Sequence, residues 1–371
     1  MMHLSGTPLA VPRSSGMMWS KNRYRSLVFG RHFLDALQLM AHPKIDLIED
    51  LSRGFKFAGS AGQQSTIRAT ARFFSRCSPL ALTWADFMRP EEPEVLILKG
   101  TKDRSTREAE LIDYKDTALT RKRRRQVQTI NRHLLSAPVV IACAGPLIGV
   151  TEDGRPIDLA RRTVRRIFNN GSWLQGGRLY DAFWETMPRD DRFRLLRIAT
   201  AAHPQGERIA NVDHAQLFPR LAYLQRGLTP PEGDLYDIDG KGLHREGYKR
   251  LINALLLSNT MPRNWPGGMR EEFPHGARLQ DVIDAIKEWH APIANLFGTG
   301  AGFRLMLIES EMLIDTLLTL YAQGVTALPL HDSVLVAASD APLAECAMHA
   351  SFERSTGCAR ASLKTTFAEE N

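Results

Sequence analysis

The sequence predicts an α+β protein, and three observations predict it. Residues 325–336 read as strand, tight turn, strand: apolar residues lead into and out of Leu328-Pro329-Leu330-His331-Asp332-Ser333-Val334, and the bend contains no glycine. A short β-type run at 209–213 is followed at once by Leu217, Leu221 and Leu224 at helical spacing. Three stretches, 243–258, 279–297 and 303–321, carry apolar residues at the spacing of amphipathic helices, and Gly324 closes the last of them.

The bulk properties bound the function. With 371 residues and 43% hydrophobic side chains, the chain can bury a sizeable core and is not a disordered protein. The formal charge is +7, and it is local. Residues 121–166 hold 11 Lys/Arg against 3 Asp/Glu, a net +8 that leaves −1 for the rest, so a polyanionic partner is expected. Cys77, Cys143, Cys346 and Cys358 form no CxxC pair and have no His cluster beside them, which argues against a zinc site and a disulfide framework. The longest apolar run, 137–150, is broken by Pro138, Gly145, Pro146 and Gly149 and is too short to span a membrane. The first residues lack an apolar signal core, so a cytoplasmic protein without membrane partners is expected.

Taken in order, residues 1–20 are rich in Ser, Gly, Pro and Met and are expected to form a mobile N-terminus. Residues 21–100 read as a small helical N-terminal domain, with helical spacing at 24–40, 45–51 and 63–74, a break at 90–93 and a short strand at 95–98. Residues 101–170 are charged and helical. Arg121-Lys122-Arg123-Arg124-Arg125 leads into Val127, Ile130, Leu134 and Leu135, and Arg161, Arg162, Arg165 and Arg166 form a second basic cluster, read as one helix face. Each run alone describes a solvated surface. Two together could grip a phosphate backbone, with Arg123, Arg124, Arg162 and Arg166 as the contacts. Residues 171–371 hold the strands and helices named above. Asp340 is placed to cap a helix to about Arg354, and 361–367 alternates like a last strand.

The candidate chemistry sits in that last part. A favoured two-residue hairpin would carry Asn-Gly or Asp-Gly, so a His-Asp bend gives up conformational ease. Asp332 either bonds its own turn backbone or presents a carboxylate for chemistry, and a divalent-ion site needs a second carboxylate. Asp213, at a strand end before a helix, is either that second carboxylate or an N-cap. Arg245, Lys249 and Asn253 share one helix face; the two cations either hold a triphosphate tail or form a basic surface stripe. Gly176-Gly177 permits close backbone approach ahead of Arg178, which then reaches a groove or a phosphate.

In this order the segments resemble the polymerase domain of family A (Pol I-like) DNA polymerases and the related single-subunit, phage-type RNA polymerases. Gly176-Gly177-Arg178-Leu179 resembles the family's Thr-Gly-Arg-Leu segment. Asp213-His214-Ala215-Gln216-Leu217-Phe218-Pro219-Arg220 resembles motif A, Arg245-x3-Lys249-x3-Asn253 motif B, and Leu330-His331-Asp332-Ser333 motif C. The resemblance covers about residues 170–371. It implies a right-hand polymerase, with an antiparallel palm sheet and helical fingers and thumb, acting as a DNA-directed DNA polymerase on a DNA primer-template with nucleoside triphosphates. It implies two Mg²⁺ ions, replaceable by Mn²⁺, on Asp213 and Asp332. Arg245, Lys249, Asn253 and Phe218 would meet the nucleotide, with Lys249 as proton donor, and Arg178 and His331 would meet the primer.

The sequence departs from the family pattern at several positions. Phe218 stands where motif A carries Glu, Leu257 where motif B carries Tyr, and Ser333 where motif C of the DNA polymerases carries Glu. Asp213 and Asp332 are 119 residues apart, shorter than the family norm, so trimmed fingers are expected. The chain has no room for the nuclease domains of Pol I, so no proofreading is expected. By analogy the enzyme would serve replication in a phage or mobile element, alongside replication proteins. An RNA polymerase or primase of the same fold, and a catalytically inactive nucleic-acid-binding accessory protein, are the alternatives.

Overall fold

The computed structural model describes residues 8–13, 23–24, 28–55, 63–81, 94–103, 106, 108–142, 159, 161–358 and 360–368. The elements run β1 (Leu9–Val11), α1 (Arg31–Ala41), β2 (Ile48–Ser52), β3 (Ser65–Ala69), α2 (Ala71–Cys77), β4 (Leu96–Leu98), α3 (Ala118–Ser136), β5 (Val139–Ile141), β6 (Arg165–Phe168), β7 (Gly176–Tyr180), α4 (Phe183–Thr186), α5 (Arg189–Leu195), β8 (Leu196–Ile198), β9 (Glu207–His214), α6 (Leu217–Gln225), α7 (Arg245–Leu257), α8 (Leu279–Trp289), α9 (Gly302–Ala322), β10 (Ala327–Leu330), β11 (Ser333–Ala337), α10 (Ala341–Thr356) and β12 (Leu363–Phe367). The mixture of sheets and helices fits the α+β class. No helix among the described residues is long and apolar enough to cross a membrane.

The main sheet is antiparallel, in the order β10-β11-β9-β8-β5, with β12 on the free side of β9. β9 is its centre. A smaller sheet, β4-β6-β7, stands beside it, and β1-β3-β2 forms a separate N-terminal sheet over Val11, Leu37, Ile48 and Ile67. The helix α9 joins two cores. Its C-terminal half (Leu313, Ile314, Leu317, Leu320) packs with the sheets and α3, and its N-terminal half (Leu305, Met306) packs with α6, α7 and α8. Between the halves lie Glu309 and Ser310, both buried, and the half-buried Glu311.

Several sequence expectations are corrected here. The helices expected at 45–51 and 63–74 are strands for much of their length: β2 pairs with β3, and only 71–77 of the second stretch is helical, capped by the Thr70 hydroxyl accepting from Phe73 N at 3.3 Å. Short apolar runs carry no reliable period, and cross-strand burial of Ile48 and Ile67 decides the matter. The first expected helix begins at Arg31 rather than near Tyr24. The charged stretch from Thr106 becomes helical only at Ala118, where Thr117 and Thr120 form a reciprocal cap. Arg165 and Arg166 lie on β6 instead of a helix, because Val164, Arg166 and Phe168 are buried alternately, a period of two. The N-terminus expected to be mobile over 1–20 lies outside the described residues except 8–13, where β1 forms. The break at 90–93 also lies outside them.

Candidate active site

The register of the main sheet brings the two aspartates together. Asp213, near the end of β9, pairs directly with Ser333 of β11 and, on the other side, with Lys364 of β12. Asp332 precedes Ser333, so the bend between β10 and β11 sets it beside Asp213. Strand alternation turns Asn211 and Asp213 to one face and buries Val212 and His214 on the other. His331 takes the left-handed conformation, φ 58°, at a cost of about 1–2 kcal/mol for a residue with a side chain. The Ser333 hydroxyl closes the bend by donating to Leu330 O at 2.9 Å. Asp213 is not the cap of α6. Gln216 holds that position with φ 58° and no capping bond, and its side-chain oxygen accepts from Leu235 N at 2.7 Å.

The electrostatics follow from placing like charges in a half-dry setting. Burial pushes the Asp213 carboxyl up to about 7, and the charge of Asp332 adds to the rise while Lys249 opposes it. Burial also raises Asp332, against the opposing charges of Arg178, His331 and Lys249. One oxygen of Asp213 is buried without a hydrogen-bond partner, as is His331 Nδ1. Lys249, on α7, keeps an exposed ammonium 3.5 Å from Glu246 and lowers both aspartates through space.

Two further groups frame the pair. Arg178, on β7, donates from Nε and a terminal nitrogen to the two oxygens of Glu309 at 2.6 and 2.8 Å. Its guanidinium lies 5.4 Å above the Phe218 ring, which forms an apolar floor for the cation. The Tyr180 ring meets His331 edge-on at 5.9 Å. On the α7 side, Arg245 is ion-paired with Asp234 and Glu246 and lies 5.5 Å above the Tyr236 ring. Asn253 Oδ1 is buried without a partner.

The sequence-predicted residues therefore divide. Asp213, Asp332, His331, Arg178, Phe218 and Lys249 come together, with Arg245 and Asn253 along the adjoining face of α7. The basic residues expected on a phosphate backbone are engaged inside the protein. Arg166 is fully buried: Nε donates to Gly177 O, and a terminal nitrogen donates to Ser310 Oγ and to Glu311, each at 2.9 Å. Burial pushes it down to about 10. Arg123 donates to Trp173 O at 2.7 Å and to Glu311 at 2.9 Å. Arg124 holds Glu94 and Asp116. Arg162 donates to the carbonyls of Ala137 and Val139 at 3.1 and 3.4 Å. A run of arginines carries no information about which members find partners inside the protein, and these four do.

Glu309, Tyr180 and Tyr236 were missed. Glu309 had a signal: it falls in phase with Leu305, Met312, Thr316 and Leu320 on the buried side of α9, an acid where the helical period demands an apolar residue. Tyr180 and Tyr236 had none.

The donor set fits a hard divalent cation. Two neighbouring carboxylates, one on β9 and one in the β10–β11 bend, both raised by burial, and an orphaned Asp213 oxygen make a place where a cation relieves repulsion. Among the described residues no group of three or more His, Cys, Asp or Glu is arranged to hold a metal. Mg²⁺ suits this, since it uses one or two carboxylates and takes its other ligands from water and phosphate.

No known protein family's profile matches the chain, and no curated protein matches it significantly. Among solved structures the chain is similar to the POL domain of Pol1 from M. smegmatis in complex with DNA primer-template and dNTP. The identity is 12% and the TM-score 0.31, over 67% of this chain and 52% of that one. The chain thus spans about half the length of that structure.

Proposed function

We propose that the protein is a template-directed nucleotidyltransferase that extends a DNA primer with nucleoside triphosphates. The observation that carries this reading is the meeting of Asp213 and Asp332 across β9 and β11, facing Lys249 of α7. The order of the polymerase-like motifs along the chain supports it independently. In this reading the antiparallel sheet around β9 is the palm and α7 is the nucleotide helix of shortened fingers.

Asp213 and Asp332 would hold Mg²⁺, or Mn²⁺ in its place, and the ion would supply Lewis-acid charge beside the primer hydroxyl and the pyrophosphate. The chain's own residues do the rest. Lys249, exposed on α7, binds the triphosphate and gives a proton to the leaving group. Arg245 joins it after exchanging Asp234 for phosphate. His331 and Arg178 face the primer end, and Asn253, with its unmet acceptor, faces the incoming nucleotide. Phe218 and Ser333 leave the sugar choice to experiment, so an RNA polymerase or primase is the second reading.

The test is extension of a labelled primer on a DNA template with Mg²⁺, with dNTPs and NTPs in separate reactions. Wild type extends in a template-dependent way, and Asp332→Asn loses about 10³-fold or more. The preferred pool decides between DNA and RNA synthesis. Absence of extension with both pools, despite duplex binding, sinks the assignment and leaves a nucleic-acid-binding accessory protein.

A further inference from the structure

Arg178 has two acids within its field and pairs with one. Among the described residues its ion pair is with Glu309, through a two-point fork, and it makes none with Asp332. Yet its charge is the strongest opposite charge acting on Asp332. Two things fix the guanidinium away from Asp332. The Glu309 carboxylate, on a fully buried side chain, takes two of its nitrogens, and the Phe218 ring takes its face. Glu309 is held in turn. Gly177, at φ 93°, lets β7 approach α9 so closely that a Cβ there would sit 2.8 Å from Ser310 Oγ. Arg166 and Arg123 tie the same turn of α9 down through the adjoining Ser310 and Glu311.

We propose that Glu309 is a positioning residue that keeps Arg178 off Asp332 and so leaves the Asp213/Asp332 pair open to a divalent cation. This rests on the metal-binding part of the proposed function. Without Glu309, a guanidinium on β7 against the Phe218 ring has lost its counter-charge, and the carboxylate whose charge still acts on it is Asp332, the one the cation needs. Arg178 then closes on Asp332 and competes with the metal, because an unpaired buried charge takes whatever partner it can reach. Glu309 acts through the arginine and not as a metal ligand.

Mn²⁺ affinity, read by electron paramagnetic resonance without nucleotide or primer, tests this with Glu309→Gln, Arg178→Met and the double variant, and with Asp213→Asn marking the site. Glu309→Gln weakens Mn²⁺ binding about tenfold, and the same change made on Arg178→Met alters it by less than about threefold. Glu309→Asp retains the charge but draws it back from the fork. It weakens binding about threefold or more, which a through-space effect of charge alone would not do. Equal losses on both backgrounds, or wild-type affinity in Glu309→Gln and Glu309→Asp, overturn the positioning role. A wild type that binds Mn²⁺ no better than Asp213→Asn overturns the metal site itself, and this role with it.

Discussion

Asp213→Asn separates the cost of the candidate site from its use. Asp213 is raised from 3.8 to about 7 by burial and by Asp332, and that gap corresponds to ~4 kcal/mol of disfavoured charge. The Lys249 ammonium is already included in that value; water relaxes part of the remainder, so about 1–2 kcal/mol is the expected net effect. The sign follows from a carboxyl raised on folding. Below about pH 4 both states keep the proton and the penalty is absent. Between about 4 and 7 the unfolded chain releases its proton first, so stability falls as pH rises, and above 7 the whole penalty is present. Denaturant melts in EDTA should therefore show Asp213→Asn about 1–2 kcal/mol more stable than wild type at pH 8 and nearly equal to it at pH 4. Excess Mg²⁺ should stabilise the wild type at pH 8 and leave the variant unmoved. A variant less stable than wild type in EDTA at pH 8, or a gap that does not change with pH, would refute the reasoning.

The arginines offer a second contrast. Arg166→Leu should lose about 3 kcal/mol of stability, whereas Arg121→Ala/Arg125→Ala, on the exposed side of α3, should cost under about 0.5 kcal/mol while lowering duplex affinity and the salt slope. Melts and salt-dependent fluorescence anisotropy separate the two, and equal stability losses would sink the distinction. Gly177→Ala should destabilise by about 2–4 kcal/mol in the same melts, since φ 93° disfavours a side chain and the new Cβ would press on Ser310 Oγ and Phe168. A neutral variant would show that the β7–α9 contact yields freely.

The division between what was legible and what was not follows the range of the interactions. Asp332 sits in a bend whose flanks are continuous apolar strands, and Asp213 sits where a β-type run gives way to a helical one, so both positions could be read from a few neighbours. Arg245, Lys249 and Asn253 share a face because of helical period alone. The strands at 48–52 and 65–69 escaped because their burial depends on each other, on Leu37 and on Val11, which lies far back in the chain.

By itself the sequence determined the α+β class, the hairpin that carries Asp332, the strand end that carries Asp213 and the cationic face of α7, because hydrophobic period and turn chemistry are local. Only the tertiary structure decided which charges are spent. Arg178 meets Glu309 across 131 residues, and Arg166 meets Ser310 across 144. Whether an arginine faces water or an internal acid is set by what the fold brings beside it. A charge has no periodicity from which that partner could be read.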